Sequence, residues 1–345
     1  VKETPVKHIA ICGAGLAGTL CAAALVKILP DDIELSLINV PGSDETDVFY
    51  GTVTSPNMYE FLLNIGITEP DLLPKTNTTF SLGTHYLNWG ADKRSWIQSF
   101  HKPLPIFQGV EFHHYLARLG KTASMTAELE PYIMSTHAAY KGVFAHPPED
   151  KKTPLSSVEY GYHFLSKEWR ALLSSKIENS HINKISGNVK TVHRDDSQIH
   201  SITLTNDQIV KADLYIDCIG LKSKLTQAEV SSARRLKAIA SFSNQKIEGN
   251  VCRMITGTNF GWHAETVFQN GVHRLTIFDS TCEELDWNAQ GKAEMKPLEV
   301  PIGYFKTPWR GNCLALGHNA AILEPLTPAP MMLLQPRFDI PARVV

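Results

Sequence analysis

The chain has 345 residues, 43% of them hydrophobic, enough to bury a large core and to divide into two lobes. Thirty-three basic against 35 acidic side chains leave a formal charge of −2, which argues against a nucleic-acid or anionic-membrane partner. Six cysteines, at 12, 21, 218, 252, 282 and 313, show no CxxC spacing, so reduced thiols in a cytoplasmic protein are expected.

The opening VKETP leads directly into KHIAIC (7–12), a short β run and too brief an apolar stretch for a secretory signal or a membrane span. LAGTLCAAALVKIL (16–29) is rich in Ala and Leu and predicts a buried helix that Pro30 stops. IELSLINV (33–40) is the second strand. This strand–helix–strand order over about 30 residues is that of a Rossmann unit.

Between the first strand and the helix lies CGAGLAG, with Gly13, Gly15 and Gly18 in GxGxxG spacing. The first glycine permits a tight turn, the second lets a pyrophosphate approach the backbone, and the third lets helix and strand pack closely. The plain alternative is a glycine turn kept for packing alone. At the end of the second strand, where a ribose-binding acid is usual, stands Asn39, an uncharged and weaker partner for a hydroxyl.

Further along, NMYEFLLNIGI (57–67) has helical spacing, and residues 84–100 alternate like strands around Trp89 and Trp96. Residues 143–157, with three prolines, predict an exposed loop, and 162–179 an amphipathic helix. Residues 185–220 predict two or three strands, turning at Asp195-Asp196 and Asn206-Asp207. A β-rich block spans 247–280, and a strand at 312–316 precedes HNAAILEPL, which reads as the start of a helix. Two glycine-ended strands, ADLYIDCIG (212–220) and LALG (314–317), suit a long FAD molecule held by segments from across the chain, although ordinary strand ends look the same. The expected fold is α/β, a doubly wound sheet. A Rossmann-like FAD-binding domain would comprise 1–56, 155–225 and 305–345, and a mixed β/α substrate domain 57–154 and 226–304.

Seven stretches in order, GAGLAG, YGTVTSPNMYEFLLNIGI, TTFSLGTHYLNW, EYGYHFLSKEWRALL, ADLYIDCIG, FGWHAETV and CLALGHNAAILEPLTPAPMMLLQ, carry a resemblance. The chain resembles the flavin-dependent tryptophan halogenase family, a branch of the PHBH/halogenase-like flavoproteins, over most of its length to Gln335. The resemblance implies FAD along Gly13, Gly15, Leu16, Ala17, Gly18, Asn39, Gly51, Thr52, Val189, Asp217, Gly220 and Gly317. It also implies a substrate pocket near Trp89, Trp262, His263 and Glu324. Reduced flavin would come from a separate flavin reductase, and no second nucleotide fingerprint for NADPH is present.

In that family a lysine in a TFKLG stretch handles hypohalous acid, with a glutamate after EPL assisting. Here the matching positions carry Ser81 and Thr327. A hydroxyl forms no haloamine, and threonine is no general base. Where the family places a halide near backbone amides, Pro328, Ala329 and Pro330 follow, and proline removes the donor. Of the WxWxIP signature only Trp262 remains, and Thr52 follows Gly51 where glutamate is common. The family continues past Gln335 with more helix, where this sequence reads PRFDIPARVV.

Three readings follow. One is an FAD-dependent oxidoreductase of altered chemistry, such as a monooxygenase, acting on an aromatic or other small organic molecule. The second is an inert FAD-binding protein, and the third a halogenase using Lys75, six residues upstream of Ser81. The adjacent His113 and His114 make a poor metal pair, so no metal is expected. His318, in a family motif, is a candidate for substrate or flavin contact against a structural role.

Overall fold

The computed structural model describes residues 5–123, 128–196, 198–226, 234–282 and 297–335, so PRFDIPARVV lies outside it. The Rossmann unit is β1 (His8–Cys12), α1 (Leu16–Ile28) and β2 (Glu34–Asn39). β1 sits in a six-stranded sheet ordered Trp309–Arg310, Cys313–Ala315, Leu214–Asp217, β1, β2, Ile182–Ser186. All neighbours are parallel except Trp309–Arg310, a short antiparallel edge.

The Ala-rich α1 buries Leu16, Ala17, Leu20 and Ala22–Ala24, and small side chains let it lie close to the sheet and to the Ser166–Lys176 helix. Ile9, Ile11, Leu35 and Leu37 from the sheet meet Leu20, Trp169 and Leu173 in one core. At about 25 cal/mol per Å² of apolar surface removed from water, each of these side chains contributes roughly 1.5–3 kcal/mol.

Among the described residues no helix packs on the opposite face, which corrects the doubly wound expectation. A three-stranded antiparallel sheet, Val189–Arg194, Ile199–Leu204 and Ile209–Val210, covers it instead. Val189, Ile202 and Leu204 pack there on Ala10, Ile38 and Tyr215. The β-branched alternation of that crossover supports a meander, and the tight turn at Asp207, φ +63°, closes its last hairpin.

A seven-stranded sheet forms the second layer system, ordered Leu298–Pro301, Arg235–Ser243, Gly271–Asp279, Gly261–Phe268, Cys252–Gly257, Gly83–Trp89, Arg94–Ser99. Only the Cys252–Gly257 and Gly83–Trp89 pair is parallel. Alternation sorts its faces. Tyr86, Ile255, Trp262, Ala264 and Leu275 form a core with Phe49, while Glu265 and Arg274 pair on the other face at 2.6 Å.

Two local expectations shift. Residues 161–163 form a strand against Thr79–Ser81, so the helix begins only at Ser166. After Gly317 the chain makes a short 3₁₀ turn and then pairs Ala321–Ile322 with Gly303–Tyr304 rather than starting a helix. Gly317 sits at φ +65°, outside helical geometry, and the pairing takes up the backbone groups that follow. None of the six cysteines is disulfide-bonded.

Candidate functional site

The glycine turn is sterically obligatory. A Cβ on Gly13 would lie 2.5 Å from the Cys218 carbonyl oxygen, and one on Gly15 2.5 Å from that of Ser43. A Cβ on Gly18 would overlap the Gly13 carbonyl oxygen outright. The turn aims the first amides of α1 outward, where a helix N-terminus favours an anion.

Those amides already have partners. The Ala14 N–H donates to Ser43 Oγ at 3.1 Å and the Leu16 N–H to Asp47 Oδ2 at 3.0 Å. Arg170, from the Ser166–Lys176 helix, pairs with Asp44 at 2.5 Å and stands 3.8 Å from Asp47. Burial pushes the Asp47 carboxyl up to about 7, against the opposing pull of the Leu16 amide and Arg170. A carboxylate and a hydroxyl thus occupy the positions a phosphate group takes at such a turn.

Beside this seat opens a hollow of about 590 Å³, lined by Leu37, Asn39 and Ser186 from the sheet, Lys167 and Arg170 from the helix, and the 40–44 loop. Val189 lies outside it, buried in the core of the opposite face.

A second hollow, of about 480 Å³, is lined by Gly51, Thr52, Phe164, Glu168, Phe242 and His273. Thr52 Oγ1 shares a 2.7 Å hydrogen bond with Thr266 Oγ1. The β register continues the Thr266 row to His273 on one side, and its extension brings Arg253 opposite Thr266 on the other. Arg253 is fully buried, and its Nη2 donates to the Pro325 and Leu326 carbonyls at 2.7 Å each. Its Nε and Nη1, with His163 Nε2 and His273 Nδ1, are buried without a hydrogen-bond partner. Burial, then the Arg253 charge, holds His163 down to about 3 and His273 to about 4. Arg253 thus sets a buried cation behind the Gly51 edge of the hollow, and the neutral imidazole of His273 lines it.

The family model described as tryptophan halogenase matches residues 8–339. The chain belongs to the tryptophan halogenase family. It is similar to the tryptophan 7-halogenase KtzQ of Kutzneria sp., 23% identical over 94% of this chain and 67% of that protein. It is likewise similar to the tryptophan 7-halogenase RebH of Lentzea aerocolonigenes, at 19% over 93% and 66%. Among solved structures it is similar to BrvH, a flavin-dependent halogenase from Brevundimonas sp. BAL3, with TM-score 0.84, 22% identity and 95% and 70% of the two chains covered. Xcc4156, a flavin-dependent halogenase from Xanthomonas campestris, gives 0.80, 22%, 96% and 69%. The chain thus spans about two thirds of the length of these relatives. Flavin-dependent halogenases use reduced FAD supplied by a separate flavin reductase.

Set in a tryptophan halogenase frame, the predicted residues fall into distinct places. Ser81 is fully buried, and its Oγ donates to the Gly83 carbonyl and faces the Gly83 N–H, both at 3.3 Å. Thr327 Oγ1 accepts the Ala329 N–H at 3.3 Å. Trp262 and Glu324 come together, indole Nε1 donating to Oε1 at 2.7 Å. His263, one residue on, faces the other side of the sheet against Thr276 Oγ1 at 3.0 Å. Trp89 stacks edge-on with Tyr86 and borders a separate hollow with Gly257.

Asp217 is buried, bonded to Ser223, Thr226 and the Ile219 amide, and desolvation raises its carboxyl. Gly220, φ +89°, and Gly51, φ +75°, keep left-handed turns near the seat. A side chain on Gly317 would collide with Tyr50 Oη and Ala17. His318 stacks on Tyr50 at 3.8 Å and shares a hydrogen bond with Thr46. Lys75 is half-exposed and paired with Asp71 at 3.5 Å. His113 and His114 form an exposed group with Glu111, all three within metal-ligating reach of one another; the first helical turn lets neighbouring rings splay only partly apart. No helix among the described residues is long and apolar enough to cross a membrane.

Sequence reasoning missed Asp47 and Arg253. Arg253 left a faint signal, a charge at an inward position of the strand CRMITG. Asp47, inside the polar run SDETD, left none.

Proposed function

We propose that this chain is a flavin-dinucleotide-binding member of the tryptophan halogenase family. It acts on an aromatic or other small organic molecule with reduced flavin and oxygen, by a route other than lysine-assisted halogenation. FAD would lie over the Gly13–Gly18 amides, with Asn39 on the ribose and Gly51, Thr52 and Gly317 along the rest of the molecule. The stand-in anion on the Leu16 amide supports the fit, because carboxylate and phosphate ask for the same donors. When bound, reduced FAD supplies the electrons that activate oxygen. The segments of the six-stranded sheet serve as the cofactor domain, and those of the seven-stranded sheet as the substrate domain.

The observation that carries the departure from halogenation is Ser81, buried and spent on Gly83, with no ammonium at that position. The test combines purified protein, FAD, a flavin reductase, oxygen and bromide with tryptophan, indoles and phenols. Oxygen-dependent product without halotryptophan is expected, and halotryptophan overturns the reading. Should it form, Lys75→Ala decides whether the displaced lysine carries it.

A second reading, an inert flavin-binding protein, is favoured by the occupied amides at Ala14 and Leu16. FAD titration without product from any compound in the panel would select it. The six free cysteines suit a cytoplasmic setting for either reading.

A further inference from the structure

We propose that Asp47, with Ser43, is an internal competitor for the dinucleotide phosphate, so that FAD binds only by exchanging with the 43–47 turn. The inference rests on the flavin-site reading above and adds what controls that site. Three donors converge on the seat: the Ala14 amide, the Leu16 amide and the Arg170 guanidinium. All three face this turn. Ser43 Oγ and Asp47 Oδ2 take the amides, and Asp44 takes Arg170 and ties the turn to the Ser166–Lys176 helix. The close approach of the Ser43 carbonyl to Gly15 leaves no gap for a phosphate oxygen while the turn is in place.

An incoming diphosphate must therefore displace a buried carboxylate and repay its lost hydrogen bond. In return it gains the same amides and frees Arg170 to face it. Of the groups packed around Asp47, Arg170 favours its charge while Asp44 and burial oppose it, and its carboxyl titrates near 7. Tyr50, three residues on, stays neutral because burial raises its phenol. The seated carboxyl holds its proton to about pH 7 while a displaced one ionises in the ordinary carboxylate range, so displacement releases a proton: the competitor is held most firmly in mild acid and yields more readily as pH rises toward 7.

The test titrates FAD and, separately, ADP into the full chain, wild type and Asp47→Asn, from pH 5.5 to 8.5, following flavin fluorescence or heat. Wild-type affinity should rise with pH by up to about tenfold per unit below 7, the limit for one coupled proton, and level off above it. Asp47→Asn should lose the pH slope, and Asp47→Ser, which shortens the side chain away from the Leu16 amide, should in addition bind more tightly than wild type at pH 5.5. Asp47→Ser serves as the second neutral variant if the amide does not fold. Equal affinity of wild type and both variants for FAD and for ADP overturns the proposal, as does an unchanged slope or the absence of binding by every protein. Tighter ADP binding by the variants with no FAD binding keeps the competitor and sinks the flavin reading instead.

Discussion

The indole nitrogen of Trp262 donates to Glu324 Oε1 at 2.7 Å and so fastens the seven-stranded sheet to the Glu324-Pro325-Leu326 turn. The ring itself is buried among Tyr86, Ile255 and Leu275, so packing and hydrogen bond separate cleanly by mutation. Trp262→Phe keeps most of the ring and loses the donor, which should cost about 1 kcal/mol. Trp262→Ala also loses the packing and should cost about 3–5 kcal/mol. Urea unfolding of both variants measures the difference, and equal losses would show that the bond carries the whole effect.

Ser81→Lys restores the residue type the family uses but should not restore its chemistry. Ser81 has no exposed surface, and its strand partner Gly161 already abuts the Thr54 carbonyl. An ammonium placed there without a counter-charge should cost several kcal/mol. Lower soluble yield and an earlier urea midpoint are expected. A variant as stable as wild type would reveal room for a long side chain.

Asp47 makes stability depend on pH in a definite direction. Its carboxyl titrates near 7 when folded, against an ordinary value of 3.8. Between these values the folded chain holds the extra proton, so stability falls as pH rises. The contribution is complete below about pH 4 and gone above about pH 7, on the order of 4 kcal/mol. Asp47→Asn should flatten this part of the profile in thermal melts from pH 4 to 8. An equally steep profile in the variant would assign the slope to other groups, of which buried Asp217 is the first to try.

How far the sequence foretold this arrangement depends on the range of the interactions. The glycine turn was legible because its three positions are constrained within one short loop and against one neighbouring strand. Trp262 and Glu324 were both named from their motifs as candidates for the substrate pocket, but the bond that joins them was not legible. The 189–210 crossover was legible as strands and not as the cover of a sheet face. HNAAILEPL has helix-forming alanines, but the bend at Gly317 and the pairing with Gly303–Tyr304 overrule that propensity. Strand alternation could have separated His263 from Trp262, since neighbours in a strand face opposite ways. Asp47 meets α1 across 31 positions and Arg253 meets the Pro325 carbonyl across 72. No local pattern encodes contacts of that length.

Arg253 offers the last test, because its charge acts on neighbours that can be watched separately. Its Nη2 holds two carbonyls, its Cζ lies 5.7 Å from the centre of the Trp262 ring, and burial lowers its own pKa to about 10, so it remains charged at neutral pH. Arg253→Met has two opposed effects on stability. It leaves the Pro325 and Leu326 carbonyls without their donor, and it removes the cost of a buried, incompletely bonded cation. The net change should stay within about 2 kcal/mol, so stability is the poorer readout. The imidazoles respond in one direction only. His163 and His273 are held low first by burial and then by repulsion from this guanidinium. Without the cation, protonation of each costs less and both midpoints must rise, while burial keeps them below the usual histidine value. An NMR titration of the histidine ring protons in wild type and Arg253→Met reads this directly. Midpoints that do not move would mean that the charge is compensated within the fold and does not reach the imidazoles.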